Sequence, residues 1–391
     1  MQTLTSSMLF VALLGGIACA GDLAVPDPLV LRDGSRVTSK EDWIAKRRPE
    51  LLELFRTHVY GRAPVGRPEG LSFEVVETVR GAMDGAATLK RINVNISGPG
   101  GKATLRLNLF VPEKAAKPVP CFLLVCNRPA ENIDPTRRVK SPFWPAEQIV
   151  ARGYATAAFL VADIDPDKHD GFKDGVHGIF DPPGGRQGDS WGTIAAWAWG
   201  ASRAMDCLCE DQDIDQTRVA VIGHSRGGKT ALWAGAQDER FALTIGNNSG
   251  CTGAAIAREK KGESIARINK SFPHWFCENY RKFNDREADL PVDQHELIAL
   301  MAPRRVYVAS ATEDAWADPN NEFKSCVLAS PVFKLFGLTG IESERMPSPD
   351  TPLQNGSIGY HLRTGKHDLT EYDWKCFMDF ADRHWKVEKK K

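Results

Sequence analysis

The sequence predicts an α/β fold, a mostly parallel, doubly wound sheet with helices on both faces and an antiparallel edge at its N-terminal side. Three observations carry this. Cys121–Val125 (CFLLV) and Ala155–Val161 (ATAAFLV) are continuous apolar runs, as strands covered on both faces require. Leu71–Arg80, Ala87–Ile96 and Ala103–Val111 instead alternate apolar and polar residues between Gly-rich turns, the pattern of an antiparallel meander. Val219–Ala236 (VAVIGHSRGGKTALWAGA) reads as strand, sharp turn and helix in immediate succession.

In chain order, Met8–Ala20 (MLFVALLGGIACA) is apolar and ends in small residues. It predicts a secretory signal over residues 1–20 cleaved before Gly21, too short to span a bilayer. Soluble export to the periplasm or medium is expected over lipid attachment at Cys19, since Gly16 stands where lipoprotein signals prefer leucine. Residues 21–391 are expected to form one catalytic domain, with no internal repeat and no break in composition. Ser39–Tyr60 has amphipathic helical spacing, closed by Gly61–Pro68. A loop at Asn127–Val139 and a helix near Pro145–Arg152 separate the two apolar strands. Trp191–Cys209 is a long helical stretch whose Trp191, Trp197 and Trp199 are expected in the core. After Val219–Ala236 come a strand at Ala242–Gly246, an irregular Gly/Ser/Asn passage, and strands at Arg305–Ala309 and Ile358–Leu362. Tyr372–Trp385 closes the chain as a helix.

The composition narrows the function. With 50 basic and 50 acidic side chains in 391 residues the formal charge is zero, which argues against a nucleic-acid or anionic-membrane partner. Lys389–Lys391 is a short solvated tail. Cys121, Cys126, Cys207, Cys209, Cys251, Cys277, Cys326 and Cys376 have neither disulfide-framework nor zinc spacing, and most are expected to be small buried residues.

The chemistry centres on Gly223-His224-Ser225-Arg226-Gly227. G-x-S-x-G between a strand and a helix is a nucleophile elbow, in which glycines allow a turn too tight for side chains and the serine is held exposed and strained. The fold is therefore expected to be a three-layer α/β-hydrolase sandwich. In that order an acid follows on a later strand and a histidine comes last. Arg305–Ala309 runs out into Glu313, Asp314 and Asp318, at the strand end where ligands bind. Asp314 is preferred as the acid, with the other two open. His367 lies past Gly365 and can turn back over the serine, so it is preferred as base over His361, which is still within the strand run. His224, immediately before the serine, is expected to point its side chain away. The expected reaction is acyl transfer from an ester, with oxyanion donors from the Arg226 N–H and the loop near Asn127. The Arg226 side chain would bind the oxyanion or an acidic acyl group, unless it pairs with a structural carboxylate.

Several motifs together resemble the bacterial glucuronoyl esterases of carbohydrate esterase family 15: GHSRGGKTALWAGA, SGCTGAAIAREKKGES (Ser249–Ser264), FPHWF (Phe272–Phe276), WADP (Trp316–Pro319) and RTGKHDLTEYDW (Arg363–Trp374). The similarity runs from about Val119 onward. It implies hydrolysis of the ester between 4-O-methyl-glucuronic acid on xylan and lignin alcohols, without metal or cofactor, by a chain expected to act as a monomer. It assigns Ser225 as nucleophile, His367 as base, Arg226 to the oxyanion, and Lys229, Glu263 and Trp316 to the uronic acid. Many members carry a catalytic glutamate just before the Ser-Gly matching Ser249-Gly250. Here that position is Asn248, which shifts the acid to Asp314. Fungal members have a cysteine where His224 stands. The competing readings are another carbohydrate esterase, such as one removing acetyl groups from xylan, and a non-catalytic carbohydrate-binding protein.

Overall fold

The computed structural model describes residues 25–385. The leader Met8–Ala20 with Cys19, the cleavage position before Gly21, and Lys389–Lys391 lie outside the described residues. The alternating N-terminal segments form β1 (Ser72–Gly81), β2 (Ala87–Gly98) and β3 (Gly101–Pro112). The apolar runs form β4 (Val119–Cys126), β5 (Ala155–Leu160), β6 (Ile214–His224), β7 (Phe241–Asn247), β8 (Arg305–Ala311) and β9 (Ile358–Arg363). They make one sheet in the order β1-β2-β3-β5-β4-β6-β7-β8-β9. β1, β2, β3 and β5 pair antiparallel, and every pairing from β5 to β9 is parallel.

The period-two geometry of a strand sends alternate residues to opposite faces, and both faces of the inner strands are covered, whereas the edge strand β1 is largely exposed. Cys121, Leu123 and Val125 of β4 enter one core with Trp197, Leu232 and Trp233, while Phe122, Leu124 and Cys126 enter a second with Trp144, Trp374 and Phe377. That is the three-layer arrangement expected. Trp191, Trp197 and Trp199 are buried in the first core. The eight cysteines named above form no disulfide, and all but the half-buried Cys209 are buried.

Three features differ from the sequence expectation. Residues 40–60 are helical throughout, but α turns alternate with π turns at Trp43–Arg47 and Arg56–Tyr60. The helix Pro319–Leu335 went unanticipated. It contains Pro331, and Glu322, Ser325 and Ser330 are buried along it, so polar residues fill positions an amphipathic pattern reserves for apolar ones. The passage between β7 and β8 also holds the short helices Ile265–Ser271 and Gln294–Ala299.

β4 pairs with β5 on one side and β6 on the other, so the chain order reverses there. Ligands bind at such a switch point, outside the carboxyl ends of the strands. The Asn127 loop leaves the end of β4, and Ser225 follows the end of β6.

Candidate active site

Ser225 sits between β6 and the elbow helix Arg226–Gln237 with φ 56° and ψ −122°, a region L-residues rarely occupy. The glycines make this possible. A Cβ on Gly223 would lie 1.9 Å from the Gly227 carbonyl oxygen, and one on Gly227 would lie 2.9 Å from Asn127 Oδ1. The Ser225 N–H donates to the Asn247 carbonyl at 2.9 Å, which ties the elbow to the end of β7. Arg226 opens the helix, so its N–H belongs to the first turn, where no intrahelical acceptor exists.

His367 and Asp314 come together from loops far apart in the chain. His367 Nδ1 is 2.6 Å from Asp314 Oδ2, and the imidazole side chain is 41% exposed while Asp314 is buried. The Asn248 amide donates to the same Oδ2 at 2.9 Å, and the Ala317 N–H donates to Oδ1. Burial opposes the charged form of Asp314. The bond and charge of His367, the Asn248 amide and the Ala317 N–H outweigh it and hold the carboxyl below its ordinary value. No hydrogen bond joins Ser225 to His367 in this structure. Such bonds are often long before substrate arrives. Of the three candidate carboxylates, Asp314 is the one bonded to His367. Glu313 is exposed, and Asp318 caps the helix Pro319–Leu335 and accepts the Lys261 N–H. His361 is buried on β9 and pairs with Asp373.

His224 departs from expectation. Its ring does not leave the site but lies against His367, with centroids 4.5 Å apart and Phe143 edge-on to it at 5.8 Å. Its Nδ1 lies 2.6 Å from Asn247 Oδ1. Burial, aided by the proximity of His367, pushes its pKa down to about 3, so it stays neutral beside the other imidazole.

Arg226 pairs with a carboxylate that the sequence reading missed. Its Nε is 3.0 Å from Asp167 Oδ2, and its guanidinium lies 5.7 Å from the centre of the Trp275 ring. Asp167 Oδ1 takes His274 Nε2 at 2.9 Å and Trp275 Nε1 at 2.7 Å. Burial works against the charge on Asp167, but these partners hold its pKa below the ordinary value. Asp167 lies in the acidic run after β5, so the strand-end rule that pointed to Asp314 also reaches it.

Lys229 and Glu263 are both buried. Lys229 Nζ donates to the Ser249 carbonyl at 2.6 Å and stands 4.0 Å from Glu263 Oε2. The Trp316 carbonyl accepts the Glu263 N–H at 3.2 Å and Lys260 Nζ at 3.0 Å. The Trp316 side chain is 54% exposed, with the Arg267 guanidinium 5.5 Å from its ring centre. Lys229, Glu263 and Trp316 are thus linked through neighbouring contacts. A cleft of about 700 Å³ lies elsewhere, beside Arg56, Trp199 and Gln237 at the far end of the elbow helix, and Ser225, His367, Asp314, Arg226, Lys229, Glu263 and Trp316 do not line it.

A mostly parallel sheet, a strained serine at a strand–helix elbow, and a His–Asp pair from later loops define an α/β-hydrolase-type protein. The profile of the family described as "Glucuronyl esterase, fungi" matches residues 92–337. A glucuronoyl esterase from Solibacter usitatus superposes with a TM-score of 0.88 at 42% identity, over 93% of this chain and 99% of that one. Carbohydrate esterase MZ0003, from an unknown prokaryotic organism, is 42% identical over 92% of this chain and 89% of its own length. A 4-O-methyl-glucuronoyl methylesterase of Schizophyllum commune is 28% identical over 86% and 82% of the two chains. The chain belongs to the glucuronoyl esterase family and is a carboxylic ester hydrolase.

Proposed function

We propose that this chain hydrolyses the ester between (4-O-methyl-)glucuronic acid of glucuronoxylan and lignin alcohols, with Ser225 as nucleophile. His367 takes the serine proton through Nε2 while Asp314, at Nδ1, fixes the tautomer and stabilises the imidazolium. The alkoxide adds to the ester carbonyl, the alcohol leaves with the proton from His367, and water reverses these steps to release the uronic acid. Charge developing on the carbonyl oxygen is met by the Arg226 N–H and by the Arg226 guanidinium, whose Nε is engaged by Asp167.

The observation that carries the substrate class is the buried Lys229–Glu263 pair, whose lysine lies one turn past the nucleophile. A donor and an acceptor side by side suit adjacent sugar hydroxyls, and Trp316 offers an apolar wall with one N–H. A simple acetyl ester has no use for such a pair. The test is hydrolysis of a benzyl glucuronate ester measured beside an acetylated xylan. Turnover of the first with little acetate from the second is expected, and the reverse would overturn the reading. Lys229→Ala or Glu263→Ala should raise KM for the glucuronate ester roughly ten- to a hundredfold and leave a sugar-free ester little changed. Equal losses on both substrates would place these residues in support of the elbow instead. The apolar stretch Met8–Ala20 supports export to the periplasm or medium. Sequencing of the exported protein should then begin at Gly21.

A further inference from the structure

Glu322, in the first turn of the helix Pro319–Leu335, is fully buried and joins no ion pair among the described residues. Three donors converge on it. The Gly250 N–H reaches Oε1 at 2.8 Å, the Ser249 hydroxyl reaches Oε1 at 3.1 Å, and the Ser310 hydroxyl reaches Oε2 at 2.7 Å. Ser249 Oγ itself accepts the Ala254 N–H at 2.9 Å, which leaves its proton for Glu322. The charged and titratable groups that act on Glu322 are Asp314, Lys260, Tyr360 and Cys326. Burial pushes its pKa up to about 7 against these hydrogen bonds, with the Asp314 charge pushing the same way. A carboxylate without a cation is costly in such a place, and the turn it grips is the one the site depends on.

That turn runs through Asn248 and Gly250, both at positive φ (45° and 57°). Its two sides serve different halves of the site. The Asn248 amide lies on Asp314 Oδ2, and the Ser249 carbonyl holds Lys229 Nζ. Ser310, the third donor, lies on β8, the strand that leads to Asp314. We propose that Glu322 is a positioning residue for both halves: by gripping the 248–250 turn it sets the amide that orients the acid and the carbonyl that aims the pocket lysine. The pocket half of this inference rests on the uronate reading above, whereas the acid half holds for any ester.

The test compares Glu322→Ala and Glu322→Gln in the full chain on two substrates, a benzyl glucuronate ester and 4-nitrophenyl acetate. Glu322→Ala should lower kcat on both, because the acid loosens, and raise KM for the glucuronate ester alone, because Lys229 shifts. Each effect should be roughly ten- to a hundredfold, the scale of leaving buried donors without an acceptor. Glu322→Gln keeps an acceptor for Gly250 and Ser249 and turns an amide donor toward Ser310, so it should restore both parameters to near wild type. If Glu322→Ala does not fold, Ser249→Ala removes one of the three donors and should move kcat and KM in the same directions by a smaller factor. The proposal is overturned if folded Glu322→Ala, or in its absence Ser249→Ala, keeps wild-type kcat and KM and only melts earlier. It is also overturned if Glu322→Gln is as impaired as Glu322→Ala. Wild-type protein inactive on the glucuronate ester but active on the acetate would refute the uronate reading, and kcat on the acetate would still test Glu322.

Discussion

His361 and His367 each pair with an aspartate, at 2.8 and 2.6 Å, yet their surroundings have little in common. His361 lies inside β9, wholly buried. Its partner Asp373 also takes Arg363 Nε at 3.1 Å and both the N–H and the hydroxyl of Thr370. Tyr307 closes the other ring nitrogen at 3.1 Å. Every polar atom of that imidazole is committed inward, so it can hold the last strand to the closing helix but has nothing to offer a substrate. His367 stands in the loop beyond Gly365, with Nδ1 on a buried carboxylate and the side chain 41% exposed. A His–Asp distance alone therefore does not identify a catalytic pair. One ring nitrogen must be fixed while the other stays reachable, and that depends on where the strand stops.

The largest expected effect tests this contrast directly. His367→Ala should lower kcat roughly a million-fold, the scale seen when one member of such a unit is removed, and leave the melting temperature near wild type. His361→Ala should do the opposite, melting early while its folded fraction turns over normally. Near-full activity in His367→Ala, with turnover lost in folded His361→Ala, would exchange the two assignments.

Next in size is the acid. Asp314→Asn should cost about ten-thousand-fold in kcat, and the same change at Glu313 or Asp318 far less. Because the Asn248 amide already touches the oxygen that receives His367, a carboxylate at residue 248 would stand within reach of the same imidazole. Asn248→Glu added to Asp314→Asn should recover part of the lost rate. Wild-type turnover in Asp314→Asn would remove Asp314 from the site.

The buried pair should answer in stability instead. Asp373→Asn leaves His361 and Arg363 without their carboxylate and should lower unfolding free energy by about 3–5 kcal/mol, as read from denaturant midpoints. An unchanged midpoint would mean that the pair contributes nothing.

The smallest effect is a pH dependence. Burial opposes the charged form of His361, but the bond and charge of Asp373 outweigh it and raise the pKa from 6.5 to about 9. A folded value above the unfolded one means that the contribution is complete below pH 6.5 and fades as pH rises through about 9. Midpoints of the wild type should fall across that window, and those of His361→Gln should change less. Asp314, held below its ordinary value, contributes above that value and loses its contribution as pH falls through the folded one.

What the sequence by itself determined was local. Strand positions and alternation were readable because a side chain's face follows from its parity along the strand. The elbow was readable because only glycine fits beside so tight a turn, and His367 was preferred over His361 because Gly365 intervenes. The α/β-hydrolase fold and the glucuronoyl esterase family followed from such local signals. Tertiary structure decided the partnerships between distant segments. His367 meets Asp314 across 53 residues, Asn248 meets Asp314 across 66, and His274 meets Asp167 across 107. No periodicity encodes a contact of that kind. The choice among Glu313, Asp314 and Asp318 rested on one turn's geometry, and the importance of Asp167 and Glu322 on which loops the sheet order brings side by side. Charges inside a protein are placed by what surrounds them in space, because a buried carboxylate persists only where donors converge, and donors converge only after the chain has folded.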